Sequence, residues 1–413
     1  MKKFFIIFLT TILCFFTICF LLKKTDENKV VIKFSTWGSH SEINLLRPLL
    51  DEFENENPDV KIELLHIPQN YFQKLHLLFA SNLAPDVIFI NNYYAPKYIQ
   101  AGLLEDLSMC FDKQNYFEKS YSGFSSNGKI YAVPRDVSNL VVYYNKELFK
   151  QNNVPYPSSN WTMDDFLKTA QLLTFDRNND GLTDVWGVSF EKDIIYWLPF
   201  LFSNGASLLS DDAETIVIDN AKALDAIDFY SALVNKYKAA PSKADSASLT
   251  MAQLFLQERL AMQISGRWLV PKYRAEAKFD WDIAPFPSGT KGSVVNIDSS
   301  GYALAKSSKH KPEAIRFIEF ISSKKSLETL SKSGLIVPAR KDAAYSSDFL
   351  EKDKKPASSQ FFLSSIETGK PTPVSPNYQA FADKLGVVLE PVFLGRKNAA
   401  EALTKDVVSG LNH

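Results

Sequence analysis

Cysteine is nearly missing from this 413-residue chain: there are three, and two of them, Cys14 and Cys19, lie in an apolar N-terminal stretch. Cys110 is alone in the remainder, so no internal disulfide can form there and stability has to come from packing. Histidine is scarce as well, five in all, and none falls in a His-x-x-x-His or Cys-x-x-Cys spacing, which removes the commonest zinc patterns. There is no Walker loop, no Gly-x-Ser-x-Gly elbow, and only one glycine in "STWGSH", the turn after the first predicted strand. Together these absences argue against a kinase, a hydrolase of the serine type or a dehydrogenase. A surplus of base is also lacking: 46 Lys and Arg stand against 47 Asp and Glu, a net charge of -1. A protein held by phosphate backbones carries the opposite balance, so nucleic acid is not an expected partner.

What is present is an ordinary globular composition, 46% hydrophobic and 23% charged, over a length that suits two domains. The N-terminus carries an address. Met1-Lys2-Lys3 precedes an unbroken uncharged run, Phe4 to Leu22, closed by Lys23-Lys24. The run exceeds a signal-peptide core of roughly 7–15 residues and fits a bilayer span of about 17–25. No small-x-small cleavage site precedes the lysines, and Leu13 and Ile18 are poor residues before a lipidated cysteine. An uncleaved anchor is the favoured reading, with lipidation and ordinary cleavage as alternatives. Each of these places the rest of the chain outside the cytoplasm, as periplasmic or surface protein, tethered or exported. Lysines at both ends leave the orientation open.

Past a polar spacer, "VVIKFSTWGS" reads as a strand and "SEINLLRPLLDEFENENPD" as a helix, with Ile43, Leu46, Leu50 and Phe53 on one face and Pro58 closing it. "VKIELLHI" alternates as a second strand, Tyr71 to Asn82 is a helix, and the fully apolar "PDVIFI" suits a central strand covered on both faces. Strand, helix, strand, helix, strand is a right-handed parallel α/β unit, and ligands sit beyond the carboxyl ends of such strands. Topology therefore nominates Ser35 to His40 and Asn91 to Tyr94. Asn127-Gly128 marks a turn. In "WTMDDFLKTAQLL" Thr162 caps a helix and Asp165 reaches back to the cap amide, so Asp164-Asp165 reads as helix-start chemistry rather than an acid–base pair. "AKALDAIDFYSALVNKY" and "TMAQLFLQERLAMQI" read as amphipathic helices, "KPEAIRFIEFISSKKSLETLSKSG" as one helix or a pair, and the C-terminal part as helices around "GKPTPVSP".

Aromatic residues supply the remaining chemistry. An indole face stacks on the apolar side of a sugar ring while nearby amides and carboxylates bond its hydroxyls. Trp37 and Trp268 stand beside glycines at predicted strand or turn ends and are candidates for that role; Trp161, Trp186 and Trp281 read as core.

A series of segments, each weak alone, resembles in order and spacing the family 1 extracellular solute-binding proteins, the maltose-binding-like receptors of ABC sugar importers. They are "IKFSTWG", "FENENPDVKIE", "APDVIFINN" with "YIQAGLLEDL", "NGKIYAVPRDVSNLVVYYNKELF", "WTMDDFLKTAQLL", "FLQERLAMQISGRW", "GYALAKSSKHKPEAIRFIEFISS" and "GLIVPARKDA". The resemblance runs through nearly the whole chain from Val30. It implies an α/β, type II periplasmic-binding-protein fold of two lobes, each a mainly parallel sheet flanked by helices, hinged at crossover segments. Lobe one would comprise 30–137 plus 286–337 and lobe two 138–285 plus 338–413, after a signal or anchor segment and spacer over 1–29. By position against the family pattern, the ligand would meet Trp37, Ser39, His40, Asn92, Tyr93, Tyr94, Asp136, Tyr196, Trp197, Gly266 and Trp268, with Ser300, Gly301 and Arg340 as weaker candidates. Two departures bear on the ligand. Tyr93-Tyr94 replace an Asp-Arg-like pair of maltose binders, which puts maltose in doubt. Arg267 replaces a frequent proline, and either favours an acidic sugar or points outward.

One motif stands apart. "DRNNDGLTDVWG" offers Asp176, Asn178, Asp180, the Leu182 carbonyl and Asp184 at calcium-loop positions, with Gly181 at the turn, but Gly187 at the twelfth position supplies no ligand. A structural calcium and a solvated Asx-rich turn are the two readings. No cofactor is otherwise required. The expectation is a monomeric, non-catalytic carbohydrate receptor that closes by its hinge and serves ABC permease subunits. The rivals are a receptor for a glycerophosphodiester or another solute, feeding a permease or sensor, and a glycoside hydrolase. The hydrolase would need two carboxyls roughly 5–10 Å apart across the cleft, and Asp136 is the only acid the sequence places there.

Overall fold

A computed structural model describes residues 29–210, 213–246, 248–351 and 353–412. The apolar stretch on which the anchor reading falls lies outside these residues; no helix among them is long and apolar enough to cross a membrane. Contacts divide the chain into two units, one of Leu304–Ile321 with the described residues up to Phe89, the other of Ile90–Ala303 with the described residues from Ser322 on.

In the first unit the predicted alternation produces strand β1 (Val30–Thr36), parallel to β2 (Val60–His66) and to the start of β3 (Val87–Asn91). Helix His40–Glu56 begins on a complete capping box: the Ser39 hydroxyl accepts from the Glu42 amide and the Glu42 carboxylate accepts from the Ser39 amide at 2.6 Å. Each satisfies an amide the first helical turn leaves open. The helix buries Ile43, Leu46, Leu49, Leu50 and Phe53. Phe34 of β1 and Phe53 both meet Phe317 of helix Lys311–Ile321 edge-on, at 5.3 and 5.1 Å, so this unit's core lies between strands and helices.

The second unit holds β4 (Ala132–Ser138), β5 (Val141–Asn145), β6 (Trp186–Val188), β7 (Leu260–Ser265), β8 (Trp281–Ala284), β9 (Asn296–Leu304), β10 (Val337–Pro338) and β11 (Lys370–Pro371). β9 and β10 both pair antiparallel with β4, and β11 runs parallel to β9. A second sheet has the order β8-β5-β7-β6; its first two pairings are antiparallel and only β7–β6 is parallel. The mainly parallel sheet expected in each lobe is thus found in β1–β3 but not here. The chain enters this sheet through β5 and leaves it through the adjacent β8, which runs antiparallel to it. Only Asn139–Leu140 join β4 to β5, and 285–295 join β8 to β9.

"TMAQLFLQERLAMQI" is not one helix. It stops at Leu256, turns through Glu258 at φ 57°, and continues as the wholly buried strand β7. An apolar run in the middle of a sheet carries no period that separates it from a helix. The 311–332 segment is a helix pair, with Ser323 capping the second member. Thr162 and Asp165 form the expected capping box on helix Met163–Leu172, and Trp161, Trp186 and Trp281 are buried.

Candidate functional site

Helix Ile194–Ser203 begins at Asp193 and is apolar almost throughout, which fixes it by burial of Trp197, Leu198, Phe200 and Leu201. Pro199 lies inside it. Helix Tyr378–Phe393 buries Tyr378, Phe381, Leu385, Leu389 and Phe393 in the i, i+3, i+4 pattern. Between the start of the first helix and one face of the second lies a cleft of about 520 Å³, with Tyr93 from the turn after β3 completing it. The volume falls in the range of small-molecule sites.

The walls are aromatic. Tyr93 and Tyr378 are stacked, ring centroids 5.2 Å apart and planes 8° from parallel. Trp197 packs against Phe393 at 6.4 Å, and both line the cleft. The polar groups are few and placed at the rim. Lys192 reaches Glu390 across the opening at 3.3 Å, and Asp383 accepts from the Gln379 amide at 2.9 Å. Asp193 is different: it occupies the N-cap of its helix, yet its side chain caps nothing. A helix-start carboxylate ordinarily spends its oxygens on first-turn amides; here they stay available to a ligand's hydroxyls, next to an aromatic wall. The preceding Glu191 is clasped by Tyr230, whose hydroxyl accepts from the Glu191 amide at 3.0 Å and donates to its carbonyl at 2.7 Å. Burial, with repulsion from Asp193 added, pushes the Glu191 carboxyl up to about 7.

The residues nominated by sequence divide into three sets. Tyr93 and Trp197 line this cleft. Trp37, Ser39 and His40 belong to the other unit. There Trp37 is half-buried against Tyr71, Phe72 and Phe89, at 4.2 Å from the last, Ser39 serves as helix cap, and His40 sits edge-on to His66 at 5.5 Å. The rest hold the second unit together. Asn92 is buried, donating to Asp298 at 3.0 Å and accepting from the Ser299 amide at 3.1 Å. Asp136 is buried beside Arg135 and accepts from the Ser300 amide at 3.2 Å. Tyr94 accompanies Tyr93 into the turn and caps a short helix through its backbone. Tyr196 is half-buried, its phenol raised by desolvation. Gly266 lies under the Trp268 ring so closely that a Cβ would overlap it, and a Cβ at Gly301 would overlap the Val133 carbonyl oxygen where β9 bulges. Arg340 pairs with Asp342 at 2.8 Å.

Arg267 neither points outward nor faces the cleft. It is 2% exposed, its guanidinium 4.0 Å from the Phe349 ring centroid and donating to the Phe349 carbonyl at 3.3 Å. It offers no charge to an acidic sugar in this cleft. The sequence reading also missed Lys192, Asp193, Tyr378, Asp383 and Glu390. Asp193 had a signal, since it directly precedes the singled-out aromatic stretch. Tyr378 had none, because nothing local distinguishes it from an ordinary helix-start residue.

The 176–187 loop is exposed and closed on itself. The Asp176 carboxylate accepts from the amides of Asn178, Asn179 and Gly181 at 2.7–3.0 Å, Asn178 accepts from Asp180, and Asp184 from Arg177. Desolvation works against these bonds, but the amides of Gly181 and Asn178 prevail and hold the Asp176 carboxyl below its usual value. Among the described residues no group of three or more His, Cys, Asp or Glu side chains is disposed to hold a metal ion.

Comparison with known proteins agrees with this architecture. The ABC substrate-binding protein of Listeria monocytogenes, solved with cycloalternan, superposes with a TM-score of 0.85 at 26% identity, covering 93% of this chain and 98% of that one. The maltodextrin-binding protein of Bacillus subtilis is 23% identical over 85% of this chain and 82% of its own length. The galactooligosaccharide-binding protein of the same organism is 23% identical over 89% and 86%. The sequence profile of the bacterial extracellular solute-binding proteins matches residues 37–328. That span takes in β2–β9, Tyr93 and helix Ile194–Ser203, and the chain belongs to this family of solute-binding receptors.

Proposed function

We propose that the protein is a carbohydrate receptor of an ABC importer, that it holds a neutral sugar in the Tyr93–Trp197–Tyr378 cleft, and that it carries out no chemistry on it. One observation carries the reading: an aromatic-walled cleft whose rim holds a helix-start carboxylate, Asp193, that caps nothing. Stacked rings offer a flat apolar face to a pyranose, and a carboxylate with free lone pairs accepts from adjacent hydroxyls. Of the three carboxylates lining the cleft, Glu390 is tied to Lys192 and Asp383 to Gln379, which leaves Asp193 as the one facing a ligand without such a partner. The relatives named above are binding proteins. In this reading lobes of 30–137 plus 286–337 and 138–285 plus 338–413 hinge at the segments joining β4 to β5 and β8 to β9. The closed state is the one recognised by the permease, the protein acts as a monomer, and Phe4 to Leu22 tethers it to the membrane.

A thermal-shift screen tests the function. Maltotriose, cycloalternan, lactose and galactooligosaccharides are compared with glycerophosphocholine. A ligand of the folded state present at 100 times its Kd adds about 2.7 kcal/mol of stability, so at least one sugar should raise the melting temperature by several degrees and the phosphodiester should not. A shift with glycerophosphocholine alone would reverse the ligand class, and reducing-end release from any oligosaccharide would make the protein a glycosidase.

No cofactor enters this scheme. For the 176–187 loop the expected result is a melting temperature unchanged by chelator and no heat on calorimetric titration with calcium, because its own amides already occupy the Asp176 oxygens. A saturable heat with a matching rise in melting temperature would assign a structural calcium instead.

A further inference from the structure

Charge is unevenly spread around the ligand cleft. Among the described residues that line it, the charged ones are Lys192, Asp193, Asp383 and Glu390, one base against three acids. Asp383, Gly386 and Glu390 follow one another at intervals of three and four on helix Tyr378–Phe393, so they share the face turned to the cleft. Two turns separate the acids, about 10 Å along the axis. Between them a Cβ built on Gly386 would meet no atom within 4 Å. The middle of this face is open floor for a ligand, with a carboxylate at each end.

The charges are answered unequally. Glu390 meets the Lys192 ammonium at 3.3 Å across the opening, the two side chains being 59% and 39% exposed. Asp383 accepts from the Gln379 amide at 2.9 Å, a neutral donor that leaves its charge in place. Asp193 caps nothing. The cleft's one cation is therefore already matched, and two carboxylates face the ligand without one. A ligand carboxylate laid over Gly386 would be the fourth anion on this rim. At physiological salt the Debye length is about 8 Å, so its repulsion by groups this near is only partly screened. Sugar hydroxyls meet no such penalty, because carboxylates accept from them.

We propose that Glu390 is a specificity-determining residue: by engaging Lys192 it bars acidic sugars and confines the cleft to uncharged carbohydrates. The device acts by repelling the wrong ligand rather than by attracting the right one. The inference rests on the cleft between helices Ile194–Ser203 and Tyr378–Phe393 being the ligand site.

The test is calorimetry on the full chain. Maltotriose, lactose and a galactooligosaccharide are each set beside the same sugar with its primary alcohols oxidised to carboxylates. The neutral one that gives the largest thermal shift with wild type is the sugar probe. Wild type should prefer the probe to its oxidised form by about tenfold or more. Glu390→Gln should cut that preference about tenfold, because it removes one anion and leaves the Lys192 charge unanswered. Lys192→Met added to Glu390→Gln returns the rim to its native net charge and should restore the preference. An exposed ion pair adds little to folding, so both variants should melt close to wild type.

Salt gives a second readout that needs no variant. At 1 M the Debye length falls to about 3 Å, so the wild-type preference should shrink; one set by shape alone would not move. An oxidised sugar bound by wild type as tightly as the probe would overturn the inference. So would a preference that neither Glu390→Gln nor salt changes. In both cases the cleft remains a sugar site. Binding of neither form by wild type or by Glu390→Gln would overturn the reading of the cleft, and this inference with it.

Discussion

Arg267→Ala should lower the unfolding free energy by about 3 kcal/mol, the sum expected for a lost buried cation–π contact, exposed carbonyl orphans and a cavity. The guanidinium lies over Phe349 at 4.0 Å and near Phe362 at 5.4 Å, and it donates to the carbonyls of Ser331 and Phe349 and to the Ser359 hydroxyl at 3.3–3.4 Å. All four lie in the last third of the chain, so one side chain next to β7 gathers segments that no strand pairs. Burial lowers the guanidinium's own affinity for protons to about 9, with Tyr143 partly restoring it. That is the sign of a charge kept inside at a cost. Arg267→Met should therefore lose less than Arg267→Ala, because it refills the volume without a charge to desolvate. Urea unfolding of the three proteins measures the difference. Affinity for the sugar probe, measured below the onset of unfolding, should not change. A stable Arg267→Ala protein with weakened binding would instead return the guanidinium to the ligand.

The second large effect is on binding. Tyr93→Ala should weaken the sugar probe by about two orders of magnitude, since it removes a ring whose burial against a ligand is worth about 1.5–3 kcal/mol with a further 0.5–1.5 for aromatic geometry. Tyr378 would also lose its stacking partner and be free to tilt into the cleft. Calorimetry of Tyr93→Ala beside Tyr93→Phe checks this: Tyr93→Phe keeps the ring and should retain most of the affinity that Tyr93→Ala loses. Stability should fall less than for a change at Trp197, which is 3% exposed and sits in the helix core. Wild-type affinity in Tyr93→Ala would place the ligand elsewhere.

The legibility of this molecule followed the range of the interaction. Capping boxes at Ser39 and Thr162 and the strand–helix–strand order of the first unit were readable because their partners lie within a few residues or repeat with a fixed period. Topology pointed to the turn after β3, and Tyr93 in it does line the cleft. The same reasoning nominated Asn92, one residue earlier, which turns inward to Asp298. Asn92 turns inward while Tyr93 lines the cleft, and nothing local in the sequence separates the two. The fully buried β7 was read as helix because the apolar run has no period of its own.

The sequence by itself determined what depends on local order and on composition: an α/β chain of solute-receptor type, reliant on packing rather than disulfides, with none of the catalytic or nucleotide motifs named above. Tertiary structure alone decided which aromatics meet. Tyr93 and Tyr378 are 285 residues apart by their numbers in the chain, yet stack at 5.2 Å, and Arg267 is drawn inward by Phe349 and Phe362 rather than toward a ligand. The physical reason is that such contacts are chosen by shape and desolvation at the place where distant segments pack. No residue within reach of Tyr93 or Arg267 along the chain carries that information.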